Sequence, residues 1–297
     1  MLELVIEARR KSLGDLEVGR ILPFMKRRMV GPFIFLDHIG PLTLPSDVPR
    51  SADVRPHPHI GLSTVTYLFA GEIMHRDSLG VEQPIRPAEV NWMTAGQGIT
   101  HSERFDPMRA RGGALHGLQA WVALPYAAEE DAPDFAHYGA AELPILEERG
   151  LTGRLIAGEA FGLKNAVRIH SPLFYLHLEL APGATATLPS GPTERAAYVV
   201  SGAVELEGRL YGAGQMLVFS PKAAPVLAAR EPTVLMLLGG EPVGERHIWW
   251  NFVSSRKERI ETAKADWLAG RFTLPPTDRA EFIPLPDQPK PQPEPMS

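Results

Sequence analysis

Short apolar runs recur along the chain, broken by Gly or Pro about every ten residues, the spacing of strands and turns. Residues 62–69 (LSTVTYLF), 118–124 (LQAWVAL), 174–180 (FYLHLEL), 196–200 (AAYVV) and 233–238 (TVLMLL) are rich in Val, Leu, Tyr and Phe, which suit a pleated, half-buried surface. In 174–180 the alternation is clean. Phe174, Leu176, Leu178 and Leu180 share one face, and Tyr175, His177 and Glu179 the other, so the first reads as core and the second as polar. The pattern predicts an all-β sandwich or barrel, not alternating βα units. One helix is expected late, over residues 255–269. Ser255 and Glu258 have capping-box spacing, Ile260, Ala263 and Trp267 fall on one face, and Gly270 supplies the stop.

The organisation reads as two β domains of one type. Residues 125–150 turn acidic and Ala-rich, and the strand-and-turn pattern then resumes. A weak echo links the halves: TYLFAGE at 66–72 and YVVSGAVE at 198–205 both run from a strand into a Gly turn with an acidic residue beyond. From residue 284 onward, six prolines in fourteen residues read as a disordered, solvated, polyproline-like tail.

Composition narrows the chemistry. The chain has no cysteine, which excludes disulfides, thiolate metal sites and Fe–S clusters. A net charge of −5 gives no global attraction to nucleic acid or an anionic membrane. No stretch approaches the roughly 20 apolar residues of a spanning helix, and MLELVIEARR at the start lacks a signal-peptide apolar run, so a cytoplasmic protein is expected. With 29 Pro and 27 Gly among 297 residues, turns and short strands are favoured over long helices.

Most of the ten histidines are expected to stand without a second ligand: His38, His75, His116, His170 and His247 read as ordinary, His177 as polar-face and His137 as part of the acidic joint. His57 and His59 differ. In RPHPHIG (55–61) they stand at i and i+2, and Pro56 and Pro58 enforce extended backbone at an edge or strand start. Their imidazoles then project to one face, within reach of one ion. In TAGQGITHSER (94–104), His101 and Glu103 repeat the i, i+2 spacing after a Gly-rich turn. Two such pairs meeting across two strands give three imidazoles and a carboxylate.

At these residues the chain resembles the cupin superfamily, and specifically the pirin family. His57 and His59 open the first cupin motif, with Thr64 in its usual glutamate slot and Gly71 as its closing glycine; GQGITH supplies the second, with Gly96 in a usual proline slot. Pirins also lack the first-motif glutamate, and their fourth ligand is a glutamate two residues after the last histidine, Glu103 here. VGPFIFLDHIGP (30–41), residues 55–80, VNWMTAGQGITHSER (90–104) and ERHIWWNFVSSRKERIETAKADW (245–267) are pirin-like too.

The resemblance implies two jelly-roll-like cupin barrels in tandem: a metal-binding one over residues 1–135 and one without metal ligands over 136–283, including the helix, followed by the tail at 284–297. Leu188, Ser190 and Arg195 fall at the second barrel's equivalents of His57, His59 and Thr64. The expected cofactor is one divalent transition metal on His57, His59, His101 and Glu103, iron(II) first, with Cu, Ni, Mn or Zn as alternatives. Four protein ligands leave two positions of an octahedron for other groups. Family members are known as quercetin 2,3-dioxygenases, so a flavonol or similar phenol and dioxygen are the expected partners, with ring cleavage, release of carbon monoxide, and Glu103 as catalytic base. The alternative from the same family is a metal or redox sensor that binds a transcriptional or metabolic protein.

Overall fold

The computed structural model describes residues 1–13 and 16–286. The expected tail falls mostly on residues 287–297, outside the described residues; residues 284–286 form neither helix nor strand. Every strand expected from the apolar runs is present, as Leu62–Ala70, Gly113–Ala123, Leu173–Leu180, Glu194–Ser201 and Thr233–Gly240. The architecture is all-β, two cupin barrels with a short helix near the C-terminus. Among the described residues, no helix is long and apolar enough to cross a membrane.

Two compact units emerge, and their ends are exchanged along the chain. Among the described residues, one comprises 1–9, 19–38 and 139–242; the other comprises 10–13, 16–18, 39–138 and 243–286. The joint at 125–150 is structured: Asp134–Tyr138 pairs with Val90–Thr94, and Ile145–Glu148 pairs with Leu151–Ala160. A cut at residue 135 would divide the first of these strands. The late helix, expected with the C-terminal barrel, belongs to the unit that holds residues 39–138.

In the unit built on 139–242, a large antiparallel sheet runs in the order Leu2–Glu7, Gln215–Phe219, Glu194–Ser201, Thr233–Gly240, Leu173–Leu180, Leu151–Ala160, Ile145–Glu148. A four-stranded sheet of Thr185–Thr187, Val226–Ala229, Ala203–Leu206 and Arg209–Gly212 covers it. Leu155, Leu176, Val199, Leu217 and Leu237 from the first sheet meet Ala186, Val204, Tyr211 and Leu227 from the second. The face of Leu173–Leu180 read as polar is so only at its end: Glu179 is exposed, but Tyr175 and His177 are buried, at 0% and 6% exposure. The chain's first segment supplies the cover, with Phe33 against Tyr175 at 5.4 Å between ring centroids and His38 bonded to Tyr198 at 2.7 Å.

The second unit builds its larger sheet from Asp134–Tyr138, Val90–Thr94, Leu62–Ala70, Gly113–Ala123 and residues 39–44 of the strand Phe33–Leu44. The facing sheet runs in the order Val54–His59, Ile99–Arg104, Ile73–Asp77, Glu82–Ile85. Pro56 and Pro58 lie on the edge strand Val54–His59, where a missing N–H costs little. The late helix is Lys257–Leu268, with Ile260, Ala263 and Trp267 buried beside Ile60, Trp249 and Phe252. Its start departs from the expected capping box. Arg256 occupies the N-cap position without a side-chain cap bond, because the Ser255 amide and hydroxyl both donate to Glu129 (2.8 Å each). A buried carboxylate outcompetes the local cap.

Candidate metal centre

The edge pairing places the histidines. Val54–His59 runs antiparallel to Ile99–Arg104 with His57 opposite His101 and His59 opposite Ile99. Gly96, in the turn before Ile99–Arg104, has φ +51°, and a Cβ there would collide with the Asp131 carbonyl oxygen. Only glycine combines that backbone with that approach. The three imidazoles of His57, His59 and His101 each offer a ligand nitrogen within 4.8 Å of the others, and the rings are 6%, 1% and 2% exposed. They form the one such metal-capable group among the described residues.

The ring nitrogens are sorted by their other partners. His57 Nδ1 donates to the Arg55 carbonyl at 2.8 Å, and His59 Nδ1 donates to the Asn251 carbonyl at 3.2 Å. A carbonyl only accepts, so in the neutral ring each Nε2 keeps the lone pair a metal needs. His101 Nε2 is buried with no partner, the condition that a bound ion would relieve. Burial lowers the His57 pKa to about 4 and, with the neighbouring imidazoles, holds His59 and His101 well below the ordinary value. The rings therefore stand neutral at neutral pH, ready to coordinate.

Behind His101 lies a group that the sequence reading passed over. His101 Nδ1 is 3.4 Å from His75 Nδ1, His75 Nε2 is 3.0 Å from Asp77 Oδ2, and Asp77 Oδ1 accepts the amides of Leu79 (2.9 Å) and Val81 (3.2 Å). The polarity follows from the far end. With the His75 proton on Nε2, directed at the Asp77 carboxyl oxygen, its Nδ1 is the acceptor for His101 Nδ1–H, and the His101 lone pair is left on Nε2. Phe135 stacks on His75 at 4.5 Å and holds its plane. The His-x-Asp spacing of His75 and Asp77 repeats that of the two recognised pairs, and that was the available signal. We expect His75→Leu to weaken metal affinity about 10- to 100-fold, as loss of outer-shell partners does. His75→Gln, which retains an acceptor, should recover most of it; chelator competition measures both, and equal affinities in the two variants would remove this role.

Glu103 stands apart from the triad in detail. It lies opposite His75 on Ile73–Asp77 and opposite Val54 on the edge strand, where the register slips after His101. It is partly buried, and desolvation alone pushes its pKa up to about 7. Its carboxylate is not within the group of mutually close ligand atoms. Next to it, Arg104 bonds Asp278 at 2.7 Å through both Nε and Nη2, and Arg109 grips Asp53 at 2.8 Å on both oxygens, which fixes the ends of both histidine-bearing strands.

These shifts have opposite signs for stability in the metal-free protein. Below about pH 6.5 the unfolded chain takes up protons that the three buried imidazoles refuse until lower pH, so stability falls as pH drops toward 4. The raised Glu103 acts the other way between about 7 and 4.5, but one carboxyl opposes three imidazoles. Denaturant midpoints of apoprotein should therefore fall from pH 7 to pH 5; a rising midpoint would contradict the buried neutral triad.

The family follows from comparison. The pirin profile matches residues 15–122, and that of the pirin C-terminal cupin domain matches residues 175–273. A pirin-like protein of Caulobacter vibrioides is 62% identical over 97% of this chain and 100% of its own length. The chain belongs to the pirin family. A crystal structure of quercetin 2,3-dioxygenase from Acinetobacter baumannii, 33% identical, superposes with a TM-score of 0.87 over 97% of each chain. A bacterial pirin from Escherichia coli, solved in complex with nickel(II), shares the fold at 18% identity, with a TM-score of 0.62 over 80% of this chain and 99% of that one.

Proposed function

We propose that this pirin is a metal-dependent dioxygenase acting on a flavonol or similar phenolic or enolic substrate, with His57, His59, His101 and Glu103 as the ligands. The observation that carries the reading is the set of three buried, neutral imidazoles with Nε2 free for a metal. The likeness to a quercetin 2,3-dioxygenase supports the substrate class. Iron(II) is the first candidate for the metal, and the N/O donor set also suits Cu, Ni, Mn or Zn. A divalent ion on three neutral rings and one carboxylate keeps a net positive charge, which favours a deprotonated phenol or enol as the further ligand.

The chain's own residues then divide the work. The imidazoles hold their geometry through Arg55, Asn251 and His75. Glu103, whose pKa is pushed up to about 7 by burial, accepts the proton of the substrate's 3-hydroxyl as general base. Trp121 against His59, at 5.1 Å, gives the triad a dry wall.

The experiment is oxygen uptake with quercetin on protein reconstituted separately with Fe(II), Cu(II), Ni(II) and Mn(II). Turnover with one ion is expected, and Glu103→Gln should retain metal while losing at least about 100-fold in rate, the scale of a lost general base. Tight metal binding without uptake by any form would overturn the dioxygenase reading and favour a sensor that acts through a protein partner.

A further inference from the structure

The barrel without a histidine cluster has a buried cation of its own. Arg195 shares the face of Glu194–Ser201 that carries Ala197 and Val199 into the core, and it is only 4% exposed. Its Nη1 donates to the Pro189 carbonyl at 3.3 Å, and Nη2 donates to those of Ser220 at 3.3 Å and Ala223 at 2.8 Å. Nε has no partner, and no ion pair to Arg195 occurs among the described residues. Carbonyl dipoles spread the charge without neutralising it, and arginine is rarely buried this deeply without an acid. Arg195 precedes Gly202 by seven residues, as Thr64 precedes Gly71 in the metal-binding barrel. One barrel thus holds a site for a mobile cation, and the other carries a fixed one near the equivalent position.

Arg195 lines a cavity of about 900 Å³, within the size range of small-molecule sites. Leu163, Leu188 and Pro189 give it apolar walls, and Lys164 and Lys222 stand at its rim. Glu159 pairs with Lys164 at 2.6 Å, and among the described residues no ion pair reaches Arg195 or Lys222. A buried basic anchor, an exposed lysine and apolar walls describe a ligand with one anionic end and an apolar body.

We propose that the mouth of this barrel is a binding site for a small organic carboxylate, its anionic end toward Arg195 and its apolar body along Leu163 and Leu188. The carboxylate replaces the two long carbonyl contacts, at 3.3 Å, with charge-assisted bonds.

The test is calorimetric titration of metal-stripped full-length protein with benzoate, against acetate, which lacks the ring, and benzyl alcohol, which lacks the charge. Stripping the metal keeps a carboxylate at the histidine triad from mimicking the result. Benzoate should bind saturably, and the two comparison probes about tenfold more weakly, the scale of a lost charged hydrogen bond or lost ring burial. Lys222→Glu, at an exposed position, should weaken benzoate about threefold, as a rim charge does. Arg195→Met should weaken it more than about tenfold, and Arg195→Lys should keep part of the affinity. Should Arg195→Met fail to fold, the Lys222→Glu titration and the benzyl alcohol comparison decide. Absence of saturable benzoate binding, equal binding of benzyl alcohol, or unchanged affinity in Lys222→Glu would each overturn the proposal.

Discussion

His101→Ala is expected to lose metal binding while the metal-free protein stays folded. The imidazole is the cross-strand member of the triad, set opposite His57 by the pairing of the two edge-side strands. Removing it leaves two of three clustered ring donors, and the affinity should fall by more than the roughly 100-fold upper range seen for outer-shell partners. The apoprotein should tolerate the change better than an ordinary core truncation. His101 Nε2 is buried without a partner, and such a group carries a desolvation cost of about 1–3 kcal/mol that its removal returns. That gain offsets part of the cavity cost. Thermal melts with chelator and with added metal separate the two effects. Wild type should gain stability with metal by mass action and the variant should not, whereas their melts in chelator should nearly coincide. A metal-induced gain equal to wild type would place the ion elsewhere, and a variant that unfolds in chelator would make His101 a core histidine.

The triad was legible in the sequence because its information is local. Two prolines forced residues 55–59 into extended backbone, the glycines at 96 and 98 turned the chain before His101, and i, i+2 spacing in an extended strand puts both side chains on one face. His75 was not legible as a partner of His101, because that contact depends on pairing Ile73–Asp77 with Ile99–Arg104, which spacing within one strand does not encode. Asn251 is a stronger case. It reaches His59 through a backbone carbonyl, so its side chain carries no trace of the role. The misreadings share a cause as well. Tyr175 and His177 alternate as an exposed face would, but the first segment of the chain covers that face with Phe33. Ser255 has cap spacing, but Glu129, far away in sequence, takes its hydrogen bonds.

That same Glu129 carries the second large expected effect. It forms an ion pair with Arg246 at 2.9 Å, both side chains 2% exposed, and it accepts from the hydroxyls of Ser254 (3.2 Å) and Ser255 (2.8 Å) and from the Ser255 amide. Arg246 in turn donates to the Leu124 carbonyl at 2.8 Å. Glu129 therefore clamps the hairpin His247–Trp249 and Phe252–Ser254, whose turn presents the Asn251 carbonyl to His59. Glu129→Ala leaves Arg246 buried and uncompensated, a change that costs about 3–5 kcal/mol when one partner of a buried pair is removed; the carbonyls that Arg246 keeps place the expectation at the lower end. The denaturant midpoint should drop accordingly. Metal affinity should fall with it, by up to about tenfold, because His59 loses the acceptor that fixes its tautomer and ring plane. Stability and coordination are linked here through one backbone carbonyl. The discriminating measurement is metal affinity under conditions where the variant is fully folded. A folded Glu129→Ala protein with wild-type affinity would show that the triad holds its geometry without the hairpin, and that the clamp serves stability alone.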